Sequence, residues 1–260
     1  MVAFDANAQK TVTGLINAEK NFSAYCEMNG TKDAFLKFLD SNGVVFEQGK
    51  AVNGIEVWNK KEKRAGILKW HPQFAEIASS NDFGYTSGPW TFQQNSTTDS
   101  VIARGQYFTI WHLDKNGEWK FLADLGVGNT PENFSTHTKI VTAKKLTGDP
   151  DTDPVVKAEE AFENSFHQNI LKAYRDFLSS RIILLRNGRL PATSVDDQVT
   201  VVKNTPPEIE FTIAASGIAP SGDLAYVYGN ITVNNKQDNY LHIWRREKTG
   251  WKIALEVLRY

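Results

Sequence analysis

The sequence predicts an α+β protein built as two tandem copies of one small domain, each opening with helices and closing in a sheet of long antiparallel strands. Three observations predict it. The chain has 260 residues, more than one core usually needs when a domain takes about 100 to 200 residues. Five sequence blocks occur twice in the same order. In both copies the apolar period changes from helical spacing to strict alternation at the same point of the block order.

The repeat fixes the domain organisation. Ala18-Glu19-Lys20-Asn21-Phe22 recurs as Ala158-Glu159-Glu160-Ala161-Phe162, at an offset of 140. Lys32 to Gly49 matches Leu171 to Gly188 at 139, and Asp82 to Gly88 matches Asp223 to Gly229 at 141. Tyr107 and Trp111 answer to Tyr240 and Trp244 at 133, and Gly117 to Asp124 answers to Thr249 to Glu256 at about 132. Between the copies runs a stretch rich in Thr, Asp, Lys and Pro with little periodicity, which reads as a linker. The expected domains are therefore 10–130 and 154–260, joined by 131–153.

Val12, Ile16, Glu19, Phe22 and Cys26 fall on one helical stripe, so about Thr11 to Met28 reads as a helix with one buried face. Thr31 is a candidate N-cap for a second helix whose apolar side is Phe35, Leu36, Phe38 and Leu39. In the second copy Asp153-Pro154 marks a helix start, since Asp accepts orphan N–H groups and Pro is tolerated in the first turn. The period then becomes two. Thr86, Gly88, Trp90 and Phe92 alternate with Tyr85, Ser87, Pro89 and Thr91, and the first set is the better core face. In the next strand Phe108 and Ile110 are apolar, while Tyr107, Thr109 and Trp111, with Tyr240, His242 and Trp244, are rings and hydroxyls with polar handles. Asn116-Gly117 and Thr249-Gly250 supply the hairpin turns into the last strand.

The segments Gly84 to Trp90, Gly105 to Trp111 and Trp119 to Asp124, set after two helices and ending in a Gly-x-Trp-Lys hairpin, resemble the strand motifs of the nuclear transport factor 2-like superfamily. Within it the likeness is to the ketosteroid-isomerase-like and polyketide-cyclase-like group, and it covers nearly the whole chain, twice. It implies two cone-shaped α+β barrels, each a curved sheet wrapped on its N-terminal helices around a pocket. It implies no single activity, because one fold hosts many chemistries.

Composition narrows the partners. With 29 basic and 30 acidic side chains the net charge is -1, so no global field draws the chain to nucleic acid or anionic lipid. No stretch approaches 18 consecutive apolar residues, so no membrane span is expected. A lone cysteine, Cys26, can build neither an internal disulfide nor a thiolate metal site, and no metal-ligand spacing emerges among the histidines. No cofactor is expected, since phosphate loops and nucleophile elbows are absent. Ala6-Asn7-Ala8 has the small-x-small form of a signal-peptidase site without the basic and apolar regions that precede one, so a trimmed export remnant at Ala6 to Gln9 is one reading and the compartment stays open.

The candidate chemistry centres on acids. Glu19 and Glu159 lie on apolar helical stripes, and a carboxylate aimed at a core must be hydrogen-bonded, paired or open to a wet cavity. Asp124 and Glu256 share a station near the end of the last strand, lining a pocket or facing solvent. The resemblance puts the isomerase's general base near Glu47, whose repeat partner Arg186 cannot act as a base, so a catalytic site is expected in the first copy if in either. Trp58, Trp90, Tyr107, Trp111, His112, Tyr226, Tyr240, His242 and Trp244 are the candidate ligand wall for a small apolar or aromatic molecule. The same rings also suit a sheet-to-sheet pairing of the two halves or of separate chains, and Trp58 or Trp90 could instead plug a pocket. The leading expectation is a small-molecule pocket, with proton-transfer isomerase or lyase chemistry by Glu47, Glu19 or Asp124 as its enzymatic form. The rival is an interaction module with filled pockets.

Overall fold

A computed structural model describes residues 9–63, 65–132 and 137–260. Ala6-Asn7-Ala8 lies outside the described residues. The chain divides into two compact units, the first comprising Met1–Val45, Val52–Asp124 and Glu132–Val141, the second Phe46–Ala51, Leu125–Pro131 and Thr142–Tyr260.

The first unit opens with α1 (Val12–Asn29) and α2 (Thr31–Phe38). The Thr11 hydroxyl accepts the Gly14 N–H at 3.0 Å and caps α1. Thr31 is not the cap of α2: the helix begins at Thr31 after Gly30, whose φ of 87° suits glycine, and the Thr31 hydroxyl accepts the Cys26 thiol instead. Then follow β1 (Leu39–Glu47), β2 (Lys50–Asn53), α3 (Gly54–Lys60), β3 (Ile67–Trp70), β4 (Phe74–Ile77), β5 (Phe83–Gln93), β6 (Val101–Leu113), β7 (Trp119–Gly128) and the short β8 (Lys139–Ile140). The sheet runs β2-β1-β7-β6-β5-β4-β8, with β3 also on β5.

The second unit repeats the plan with α4 (Asp153–Gln168), α5 (Ile170–Phe177), β9 (Leu178–Leu185), α6 (Val195–Lys203), β10 (Glu210–Ile218), β11 (Leu224–Val233), β12 (Lys236–Glu247) and β13 (Gly250–Leu258). Asp153 is the first helical residue of α4 rather than its cap, and Pro154 sits in the first turn. The strand order is β10-β11-β12-β13-β9. Thus β9, β13, β12 and β11 correspond to β1, β7, β6 and β5, and β10 corresponds to the broken edge formed by β3 and β4. This is the α+β architecture of two tandem copies.

One expectation needs correction. The sheets are mixed, not antiparallel throughout: β1 runs parallel to β7, with Val45 beside Asp124, and β9 runs parallel to β13, with Leu184 beside Glu256. The hairpin formed by the last two strands leaves an open edge, and the strand that follows the helices closes it in the same direction.

Local irregularities bend both sheets. In the second unit the β12–β13 register shifts between Ile243↔Leu255 and Trp244↔Ile253, so Ala254 is an extra residue that switches the face of everything after it. Ile253 and Glu256 consequently both reach the interior. On the other edge, Gly88 of β5 faces the break between β3 and β4, where a Cβ would stand 1.8 Å from the His71 carbonyl oxygen. Gly229 occupies the same station on β11 opposite the β10 bulge, with the Thr212 carbonyl oxygen 2.0 Å from an added Cβ. Only glycine lets the backbones approach so closely at these bends.

Each unit has its own core. Leu15, Phe22, Cys26, Phe35, Trp111 and Phe121 anchor the first, and Val155, Phe162, Phe166, Tyr174, Trp244 and Ile253 the second. Among the described residues no helix is long and apolar enough to cross a membrane.

Candidate functional site

The site of the first unit is built from α1 outward. The apolar stripe that buries α1 carries Glu19 into the interior, where it is fully buried. Three side-chain donors meet it: the Trp70 indole N–H at 2.5 Å, the Trp111 indole N–H at 2.9 Å, and the Thr86 hydroxyl. They come from β3, β6 and β5, so one helical carboxylate ties three strands to α1. Nearby, the Thr109 hydroxyl donates to Asp124 at 2.7 Å. None of these partners is a cation. Burial therefore raises Glu19 to about 7 despite the hydrogen bonds from Thr86, Trp70 and Trp111, and the charge on Asp124 adds to the rise. Burial likewise raises Asp124 to about 6, against the hydrogen bond from Thr109. Tyr107 points into the same group. Burial and then the Glu19 charge lift its phenol well above its ordinary value, and its hydroxyl makes no hydrogen bond of good geometry among the described residues.

The second unit keeps the stations and changes the chemistry. Trp244 donates its indole N–H to Glu159 at 2.6 Å, as Trp111 does to Glu19. His242 replaces Thr109 and lies between two acids, with Nδ1 2.8 Å from Glu159 and Nε2 2.9 Å from Glu256. Arg186 bonds Glu256 from the end of β9, and the Tyr174 hydroxyl donates to the same carboxylate at 3.0 Å. Glu159, His242 and Glu256 are fully buried. Burial alone would lower His242, but its two acid neighbours raise it to about 10. Burial alone would raise Glu256, but Arg186 and His242 hold it down to about 2. Two acids alternate with two bases, and each charge has a hydrogen-bonded opposite. Beside this chain the Tyr240 hydroxyl donates to Glu163 at 3.2 Å, and burial, then the charge on Glu159, raises Glu163 to about 7.

The structure thus brings Glu19, Tyr107, Trp111 and Asp124 together in the first unit, and Glu159, Tyr240, His242, Trp244 and Glu256 in the second. The Tyr107–Thr109–Trp111 face, one candidate for pairing the two halves, is covered from within its own unit by α1. The other candidates stand apart from these two groups. His112 pairs with Asp40 at 2.9 Å. Trp90 is half-buried on β5, and Trp58 packs on Phe35 with ring centroids 4.4 Å apart. Tyr226 stacks on Tyr228 at 5.8 Å. Glu47 ends β1 in the Phe46–Ala51 stretch that groups with the second unit.

Sequence reasoning missed Trp70 and Thr86 as partners of Glu19, and Tyr174 as a partner of Glu256. It also treated Arg186 only as a lost base. A signal for the second network was present in the repeat. Phe35 becomes Tyr174, Glu47 becomes Arg186 and Thr109 becomes His242, three polar or charge changes at aligned positions around one retained acid.

No family model and no curated protein matches the chain. Among solved structures it is similar to an NTF-2-like protein of unknown function from Shewanella oneidensis, with 19% identity over 42% of this chain and 98% of that one and a TM-score of 0.35. It is similar also to a ketosteroid isomerase-like protein from Erwinia carotovora atroseptica, with 19% identity over 41% and 92% and a TM-score of 0.34. A de novo designed protein with a curved β-sheet aligns at 13% identity over 40% and 97%, with a TM-score of 0.35.

Proposed function

We propose that the first unit binds a small, largely apolar molecule bearing a polar oxygen, and that Glu19, Asp124 and Tyr107 form the polar end of its site. One observation carries this reading: a fully buried acid raised to about 7 and a half-buried one raised to about 6 stand beside a buried phenol whose hydroxyl makes no hydrogen bond of good geometry among the described residues. An unsatisfied buried hydroxyl costs about 1–3 kcal/mol, which a ligand oxygen would recover. An acid poised near neutrality can both take and return a proton, so the enzymatic form of the proposal is an isomerase or lyase step without cofactor. Asp124 or Glu19 would move the proton, and the Tyr107 hydroxyl would donate to the oxygen on which charge develops. The second unit serves as scaffold, because His242 and Arg186 neutralise Glu256.

A filled interior is the competing reading, supported by the rings packed on Phe22: Trp70 at 4.8 Å, Phe121 at 5.2 Å and Trp111 at 6.0 Å. Titration of the full chain with 2-naphthol, a flat apolar alcohol, separates the two. Saturable binding weakened about tenfold, or about 1.4 kcal/mol, by Tyr107→Phe and by Asp124→Asn supports the pocket. Absence of saturable binding, or binding indifferent to both changes, supports the filled interior.

A further inference from the structure

A cleft that shares no lining residue with the Glu19 group opens on the first unit between the end of α1, α3 and the loop before β3, with a volume of about 480 Å³. That volume lies within the range of small-molecule sites, roughly 300 to 1,000 Å³. Its apolar walls are Trp58 and Phe92, both half-buried. Gly66 shapes one side: with φ at 134° and an added Cβ only 2.4 Å from the Phe92 ring, it lets that ring come close to the backbone.

The rim is basic, with Lys32, Lys61 and Lys63 outnumbering Glu62. Lys32 is held in place by the main-chain carbonyls of Asn59 at 3.0 Å and Lys61 at 2.6 Å, dipoles that orient its ammonium without cancelling its charge. Lys61 places Nζ 4.3 Å over the Trp58 ring. Lys63 reaches Asp33 at 2.6 Å from an exposed position.

From an aromatic wall and a rim of lysine ammonium groups, of which Lys63 is shared with Asp33, we infer that the cleft is a binding site for a planar aromatic carboxylate. The ring packs against Phe92 and the edge of Trp58, whose faces Phe35 and Lys61 cover, and the carboxylate accepts from the lysine ammonium groups. The occupant is small, since the cleft holds about 480 Å³.

The test is a fluorescence titration of the full chain with 2-naphthoate, with 2-naphthalenemethanol as the neutral isostere. The site predicts saturable 2-naphthoate binding that is weakened by added salt and lost about fivefold or more in the double variant Lys61→Gln/Lys63→Gln, as expected for removing partly screened charges. The neutral isostere should bind weaker by a similar factor, and Lys203→Gln, at the exposed end of α6, should leave 2-naphthoate binding unchanged. Both lysine changes lie at the rim, and circular dichroism melts confirm that the variant folds. Undetectable binding, equal affinity for the neutral isostere, or an unchanged double variant would each overturn the assignment.

Discussion

Trp111 and Trp244 hold the same station in the two units, each passing its indole N–H to the acid of the first helix, Glu19 at 2.9 Å and Glu159 at 2.6 Å. The shared bond makes the difference around it informative. In one unit the acid meets neutral donors, and in the other it meets a histidine flanked by a second acid and an arginine.

Thr109 and His242, also at one station, should therefore differ greatly in what their loss costs. Thr109→Val removes one neutral donor from Asp124 and is expected to cost about 1 kcal/mol. His242→Leu leaves Glu159 and Glu256 buried with a cation removed from between them and should cost about 3–5 kcal/mol. Urea unfolding of the two variants measures both, and equal costs would contradict the charge network.

Arg186→Leu alone strands Glu256 and should destabilise by about 3–5 kcal/mol, whereas Arg186→Leu with Glu256→Leu should regain most of the loss. A double-mutant cycle on thermal unfolding gives the coupling. Additive losses would show that the pair contributes no mutual stabilisation.

The two units should respond differently to mild acid. Folded Glu19 keeps its proton up to about 7, whereas its ordinary value is 4.5, and Asp124 keeps its proton to about 6 against 3.8. The native first unit binds more protons across that span, so its stability is full below about 4 and falls as pH rises to about 7. In the second unit Glu256, lowered to about 2, contributes fully above 4.5, and His242, raised to about 10, contributes fully below 6.5. Hydrogen exchange between pH 4.5 and 6.5 should show protection of the first unit declining, while in the second unit Glu256 and His242 contribute no change and only the half-buried Glu163, raised to about 7, weakens protection over that span. Glu19→Gln should flatten much of the first unit's dependence.

Gly88→Ala and Gly229→Ala should each destabilise by about 2 kcal/mol or more, because the new methyl group meets backbone oxygen that cannot withdraw. Gly117→Ala at the open hairpin, with φ at 76°, should cost about 1 kcal/mol through backbone strain alone. Melting temperatures of the three variants rank them.

Much of this architecture is legible in the residues. The helical stripe through Glu19 and Phe22, its copy through Glu159 and Phe162, the alternation through Thr86, and the glycines of the two hairpins depend on local periodicity and turn chemistry, which a sequence carries directly. The duplication also brings out Glu19 and Glu159 as buried acids before any coordinates. Tertiary structure alone decided what those acids touch. Trp70 and Thr86 reach Glu19 from 51 and 67 residues away, and Glu256 faces the interior because an extra residue at Ala254 reverses the side-chain alternation. Such pairings depend on strand register and on a bulge, and a one-residue slip carries a side chain to the other face without any change in composition. The same acid can consequently be raised to about 7 in one copy, while its counterpart joins a closed ion network in the other.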